Sequence, residues 1–158
     1  MRILDPDAIY EKALSHPNGA AELDELELML YAIKEIENHI AMSGWTAFFV
    51  GSCAYLCDDL RRGLERCADT RSLVIIDNFA KRVVSDGYQF PDEVEEWSRE
   101  TDGDEREWGR QFRDAKGERW ERVASHLRCV GCELSTETSV VAPKTERFAS
   151  ELAALLKK

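Results

Sequence analysis

Apolar side chains in this chain recur at intervals of three and four, the pattern of helices that bury one face. Between Glu22 and Ile40, the residues Leu23, Leu26, Leu30, Ile33, Ile36 and Ile40 follow that spacing, while Asp24, Glu25, Glu27 and Glu35 project elsewhere. A helix with one packed face and one acidic face is predicted. Glu37 breaks the division, because a helical wheel puts it beside Leu26, Leu30 and Ile33. It is either a semi-buried carboxylate or a sign that the helix bends or ends early; the second reading is favoured.

Cys53, Leu56, Cys57, Leu60, Leu64 and Cys67 form the next stripe and predict a second amphipathic helix over Cys53 to Cys67, with its cysteines inward. A third helix is expected from Ser72 to Val84 on Leu73, Ile76, Phe79, Ala80 and Val83, although Val74-Ile75-Ile76 also fits a short strand. Asp86-Gly87-Tyr88-Gln89-Phe90-Pro91 reads as a turn. Beyond it, Val94 and Trp97 suggest a helix, followed by an exposed loop around Asp102-Gly103-Asp104. Trp108, Phe112, Trp120, Val123 and Leu127 extend helix from about Glu105 to Arg128, with Gly117 as the interruption. Cys129 to Ala142 reads as irregular, and Pro143 opens a final helix packed through Phe148, Leu152, Leu155 and Leu156. The expected fold class is all-α, one compact multi-helix domain over residues 1–158.

Charge narrows the choice of partner. The formal net charge is -10, and Asp92 to Glu107 alone holds nine acids against Arg99 and Arg106. Such a surface repels phosphate backbones and anionic membranes, so direct binding to nucleic acid or membrane is not expected. The first residues, Met1-Arg2-Ile3-Leu4-Asp5, hold no apolar core of signal-peptide length, and no later run approaches a membrane span. Five cysteines, an odd number, fit reduced thiols in a cytoplasmic protein.

Candidate chemistry is sparse. His126 with Cys129-Val130-Gly131-Cys132 offers three zinc-type ligands but lacks the fourth that structural zinc ordinarily takes, so neither metal nor cofactor is assigned. His16, His39 and His126 are scattered, and Gly44, Gly51 and Gly63 do not make a phosphate loop. The six acids between Glu22 and Glu37 lie on a stretch about 24 Å long if helical. That is roughly one carboxylate per 4 Å, against one phosphate per roughly 3.4 Å along a DNA strand. An ordinary acidic helix reaches the same density.

The segment Ile40-Ala41-Met42-Ser43-Gly44-Trp45-Thr46-Ala47-Phe48-Phe49-Val50-Gly51-Ser52 resembles a bacterial domain family of otherwise unknown function whose members include a DNA-mimic protein. Members typically show a helix ending in an Asn-Gly-Gly-aromatic turn, a Gln-Phe-Phe-type segment leading to Asn or Ser, and two amphipathic helices. Here Met42 replaces the Asn, Ser43 one Gly and Ala47 the Gln, while the aromatic, glycine and helical spacing is kept, and the resemblance in fold covers about Leu23 to Val84. Gly44 is expected to permit a positive φ, and Trp45, Phe48 and Phe49 to anchor the following segment. The resemblance implies a non-enzymatic acidic module that occupies the basic surface of a DNA-binding regulator or a nuclease. The expected partner-binding residues are Glu25, Glu27, Glu35, Asp92, Glu93, Glu95, Glu96, Asp102, Asp104 and Glu105. A toxin-immunity protein is the second reading, and an enzyme or zinc protein with a hidden site is the third.

Overall fold

Three of the helices begin where the chain supplies a side-chain acceptor for backbone N–H groups that the helix itself leaves unpaired. In the computed structural model, which describes residues 1–101 and 105–135, Asp5 accepts from the N–H groups of Asp7 and Ala8 to start α1, Pro6–Ser15. Pro6 sits at a position where the missing N–H costs nothing. Asp24 accepts from the backbones of Leu26 and Glu27, and the Glu27 carboxylate reaches back to the N–H of Asp24, a reciprocal cap that opens α2, Glu25–Met42. After α3, Cys57–Arg66, Asp69 caps α4, Thr70–Ser85. Three shorter helices follow: α5, Val94–Glu100; α6, Arg106–Asp114; and α7, Lys116–Cys129.

The all-α expectation holds for the bulk of the fold. One small exception is a parallel pair of three-residue strands, β1, Arg2–Leu4, and β2, Cys132–Leu134, with Arg2 opposite Cys132 and Leu4 opposite Leu134. The stretch read as irregular after Cys129 therefore carries a strand, and the first residues of the chain return to meet it. The helix read over Cys53 to Cys67 starts instead as a 3-10 segment, Gly51–Leu56, before becoming α3. The break before α7 falls at Ala115, not Gly117. The final helix expected from Pro143 lies outside the described residues.

Glu37 corrects its own reading. The helix neither bends nor stops there; α2 runs on to Met42, and the carboxylate is largely buried because a cation from α7 meets it. Gly44 ends α2 at φ 99°, and its N–H bonds back to the His39 carbonyl. The chain then dives inward, so that Trp45, Phe48 and Phe49 are almost fully buried. Trp45 packs on Phe49 at 5.3 Å, on Phe79 of α4 at 5.6 Å and on Phe112 of α6 at 5.5 Å between ring centroids. Phe79 also meets Trp97 of α5 at 5.4 Å, edge to face. Each of these pairs adds about 0.5–1.5 kcal/mol beyond area burial, so this aromatic turn is the hub on which α4, α5 and α6 converge. On the far side, α2 and α3 approach closely: a Cβ on Gly63 would stand 2.6 Å from Met29 Cγ.

Candidate functional site

The acids read as an acidic face fall into three groups once the chain folds. The first group, on α2, is already partnered. Glu25 bonds to Arg66, and Glu27 lies 3.1 Å from Arg2 and 3.2 Å from Lys12. Glu25 is held below the ordinary carboxylate range by the Arg66 hydrogen bond and charge. Exposed pairs of this kind contribute little stability, yet they offset charge that a partner would otherwise meet.

The second group points inward. The Glu35 side chain is 9% exposed, and its Oε1 accepts from Cys53 Sγ at 3.2 Å and lies 3.3 Å from His39 Nε2. Glu37 is the anchor of a buried charged centre. Its Oε1 accepts from Arg119 Nη2 at 2.8 Å, Arg119 Nε at 3.1 Å and Trp120 Nε1 at 3.0 Å. Lys116 Nζ stands 3.4 Å from Oε2, an ion pair without hydrogen-bond alignment. Arg119 is itself 0% exposed and donates through Nη1 to Ser72 Oγ at 3.0 Å and to the Phe112 carbonyl at 3.1 Å, with its guanidinium 3.9 Å from the Phe112 ring centre. Four helices are thereby tied to one guanidinium. Glu105 serves the aromatic turn in the same spirit: its Oε2 accepts from the Thr46 N–H at 3.2 Å and from the Thr46 hydroxyl. Sequence reading assigned Glu35 and Glu105 to a surface because their partners lie in distant segments. Thr46 is buried at the start of a 3-10 turn whose first N–H groups have no partner within the turn, which is why an acceptor is needed there.

The third group surrounds α5. Val94 and Trp97 are buried on the aromatic hub, which fixes the helix rotation. With 100° per residue, Glu95, Glu96, Arg99 and Glu100 then take the outward arc. Glu95 and Glu96 are 58% and 48% exposed, and Arg99 reaches them only at 3.9 and 3.6 Å. Asp92 is exposed just ahead of the helix. Glu93 is half-buried and accepts from the Gln89 N–H at 2.7 Å, and Glu100 accepts from the Tyr88 hydroxyl. Asp86, at the end of α4, accepts from Trp97 Nε1 at 2.9 Å and Arg82 Nε at 2.8 Å. The Trp97 bond, then Arg82, holds the Asp86 carboxyl below its usual range. From Asp86 to Glu100 there are six acids and one arginine. The structure thus brings Asp92, Glu93, Glu95 and Glu96 together and separates them by role from Glu25, Glu27, Glu35 and Glu105. Asp102 and Asp104 lie outside the described residues.

The zinc-type trio of sequence reading is not the one that converges. Cys129 is exposed and Cys132 lies buried in β2. Among the described residues, the one group of three potential metal ligands with all its donor atoms close together is Glu35, His39 and Cys53. No helix among the described residues is long and apolar enough to cross a membrane.

No curated protein and no solved structure matches the chain. A family model does: the family described as DMP19-like protein, named for DNA mimic protein 19, matches residues 21–137. The match begins before α2 and runs through β2, so it takes in the α5 to α7 half as well as the aromatic turn and the helices beside it. With that match across most of its length, on a helical fold built around the Gly44 turn, the chain belongs to the DMP19-like protein family.

Proposed function

We propose that this protein works without chemistry of its own, as an acidic decoy that covers the basic nucleic-acid-binding face of a DNA-binding protein. Membership in a family named for a DNA mimic supports the reading. The observation that carries it in this chain is α5, whose buried Val94 and Trp97 hold Glu95, Glu96 and Glu100 outward beside Asp92 with a single arginine among them. Carboxylates on a rigid helix offer fixed negative charge at little cost in ordering, which favours fast encounter with a basic surface. Glu25, paired with Arg66, and Glu27, paired with Arg2 and Lys12, contribute less.

The test is capture of basic DNA-binding proteins from native lysate on the immobilised protein, eluted in a salt gradient. A captured protein should leave at moderate salt, since exposed charges are screened over about 8 Å at physiological ionic strength. Glu95→Lys with Glu96→Lys should cut its capture at least tenfold with the helical circular-dichroism signal unchanged, and duplex DNA should compete with the native protein for it. Equal capture by the charge-reversed variant, or no competition from DNA, overturns the proposal.

A further inference from the structure

One helical turn of α2 and the 3-10 segment that follows the aromatic turn bring an oxygen, a nitrogen and a sulfur donor into a single triangle. Glu35 and His39 stand four residues apart on the same face of α2, and Cys53 comes from Gly51–Leu56. The three edges are 3.2 Å from His39 Nε2 to Cys53 Sγ, 3.2 Å from Cys53 Sγ to Glu35 Oε1 and 3.3 Å from His39 Nε2 to Glu35 Oε1. A tetrahedral zinc ion with bonds of about 2.0–2.3 Å needs donor-to-donor edges of roughly 3.3–3.7 Å. The triangle meets that span after an outward shift of a few tenths of an ångström.

The hydrogen-bond accounting of the trio is lopsided in a way that an ion would repair. The Cys53 thiol donates to Glu35 Oε1 and the His39 ring nitrogen lies against the same oxygen, while Glu35 Oε2 is buried with no hydrogen-bond partner. A buried acceptor left unpaired costs about 1–3 kcal/mol, and buried polar atoms in folded proteins seldom go unmatched. Lys34, the nearest lysine in sequence, is engaged by Asp7. The walls are apolar or neutral: the Phe48 ring meets His39 edge-on at 6.3 Å, the Tyr10 hydroxyl faces Asn38 and Glu35, and burial, with Glu35 nearby, keeps the Tyr31 and Tyr55 hydroxyls protonated. One carboxylate and one thiolate in such surroundings match the charge of a divalent cation. His39 is 26% exposed, which leaves a route in from solvent.

We propose that Glu35, His39 and Cys53 form a binding site for a divalent transition metal of the zinc class, three protein ligands with the fourth position held by water. Mixed sulfur, imidazole and carboxylate donors suit zinc better than magnesium or calcium, which take oxygen ligands. On binding, the Cys53 thiol gives its proton to solvent and its sulfur bonds to the metal, with no change of oxidation state. The ion would fasten the 3-10 segment to α2 and so clamp both ends of the aromatic turn. None of this depends on the acidic surface of α5.

The experiment is a Co2+ titration of the full, reduced, metal-stripped protein, followed by Zn2+ competition. The expected result is saturation at one equivalent, with the visible bands of four-coordinate cobalt and a sulfur-to-metal charge-transfer band that zinc abolishes. Cys53→Ser should remove the charge-transfer band and His39→Gln should weaken binding at least tenfold, whereas Cys129→Ser should leave both intact. A readout on the unaltered protein guards against misfolded variants: Zn2+ should slow alkylation of Cys53 at least tenfold and leave Cys129 unaffected, each followed by peptide mass. Absence of saturable binding, or zinc protection of Cys129 and Cys132 in place of Cys53, overturns the assignment.

Discussion

Replacing Arg119 with methionine keeps most of the side-chain length and removes every donor. Three hydrogen bonds from Arg119 would vanish at Glu37, Ser72 and Phe112 besides the second contact to Glu37, and the Glu37 carboxylate, 9% exposed, would retain Trp120 and the loosely aligned Lys116. Removing one partner of a buried pair costs about 3–5 kcal/mol, chiefly because the other charge stays behind. With Lys116 still 3.4 Å from Oε2, the lower end applies, and the expected loss is about 3 kcal/mol. Urea unfolding by linear extrapolation reads this directly, provided the slope is unchanged between variants. The decisive companion is Glu37→Leu combined with Arg119→Met. It removes both charges, so it should be at least about 1 kcal/mol more stable than Arg119→Met alone. A loss below about 1 kcal/mol in Arg119→Met, or a double variant whose cost equals the sum of the two singles, would refute the view that this pair is a coupled buried unit.

Gly44→Ala should destabilise by about 1–3 kcal/mol, since alanine there must hold φ 99° and its Cβ would lie 2.7 Å from Glu105 Oε1; adding Glu105→Ala should relieve the collision but not the backbone strain, and full rescue in urea would show that strain is absent. Asp86 has a folded-state pKa below its ordinary value of 3.8, so its contribution is present above that value and disappears as pH falls through the folded-state value. The stability advantage of the native protein over Asp86→Asn should therefore shrink as urea midpoints are taken from pH 5 to pH 2, and a constant difference would contradict the assignment. Burial pushes the Cys57 thiol up to about 12 and the Cys67 thiol up to about 11, so at pH 8 iodoacetamide should modify exposed Cys129 well before either. Peptide mapping that finds Cys57 labelled first would show that α3 opens more readily than its packing implies.

What could be read from the chain alone followed the range of each interaction. The three-and-four stripe of α2 is a local property, and it located that helix to within a few residues at either end. The wheel also put Glu37 on the inward face correctly, but its cation lies 82 positions later, so a buried acid with no visible partner looked like a helix end. Glu35, buried, and Glu105, half-buried, are drawn inward in the same way, their partners being Cys53 and Thr46. Helix α1 went unread because its stripe is short: Ile9 and Ala13 are its buried residues, and the signal that marks its start is the cap, Asp5 followed by Pro6. The trio of Glu35, His39 and Cys53 matches no spacing rule, since a turn and two glycines intervene before the thiol arrives.

The pairing of β1 with β2 sets an order of events during synthesis. Arg2, Ile3 and Leu4 are made well before the strand they join, Cys132–Leu134, which follows 130 residues later. At roughly 5–20 residues per second, that delay is on the order of ten seconds. Over that interval Leu4, buried in the finished protein, has to be sheltered by something other than its final neighbour. β1 is thus made long before it can be locked in place, and a chain halted between the end of α6 and residue 132 would hold helices able to pack while β1 stays unpaired.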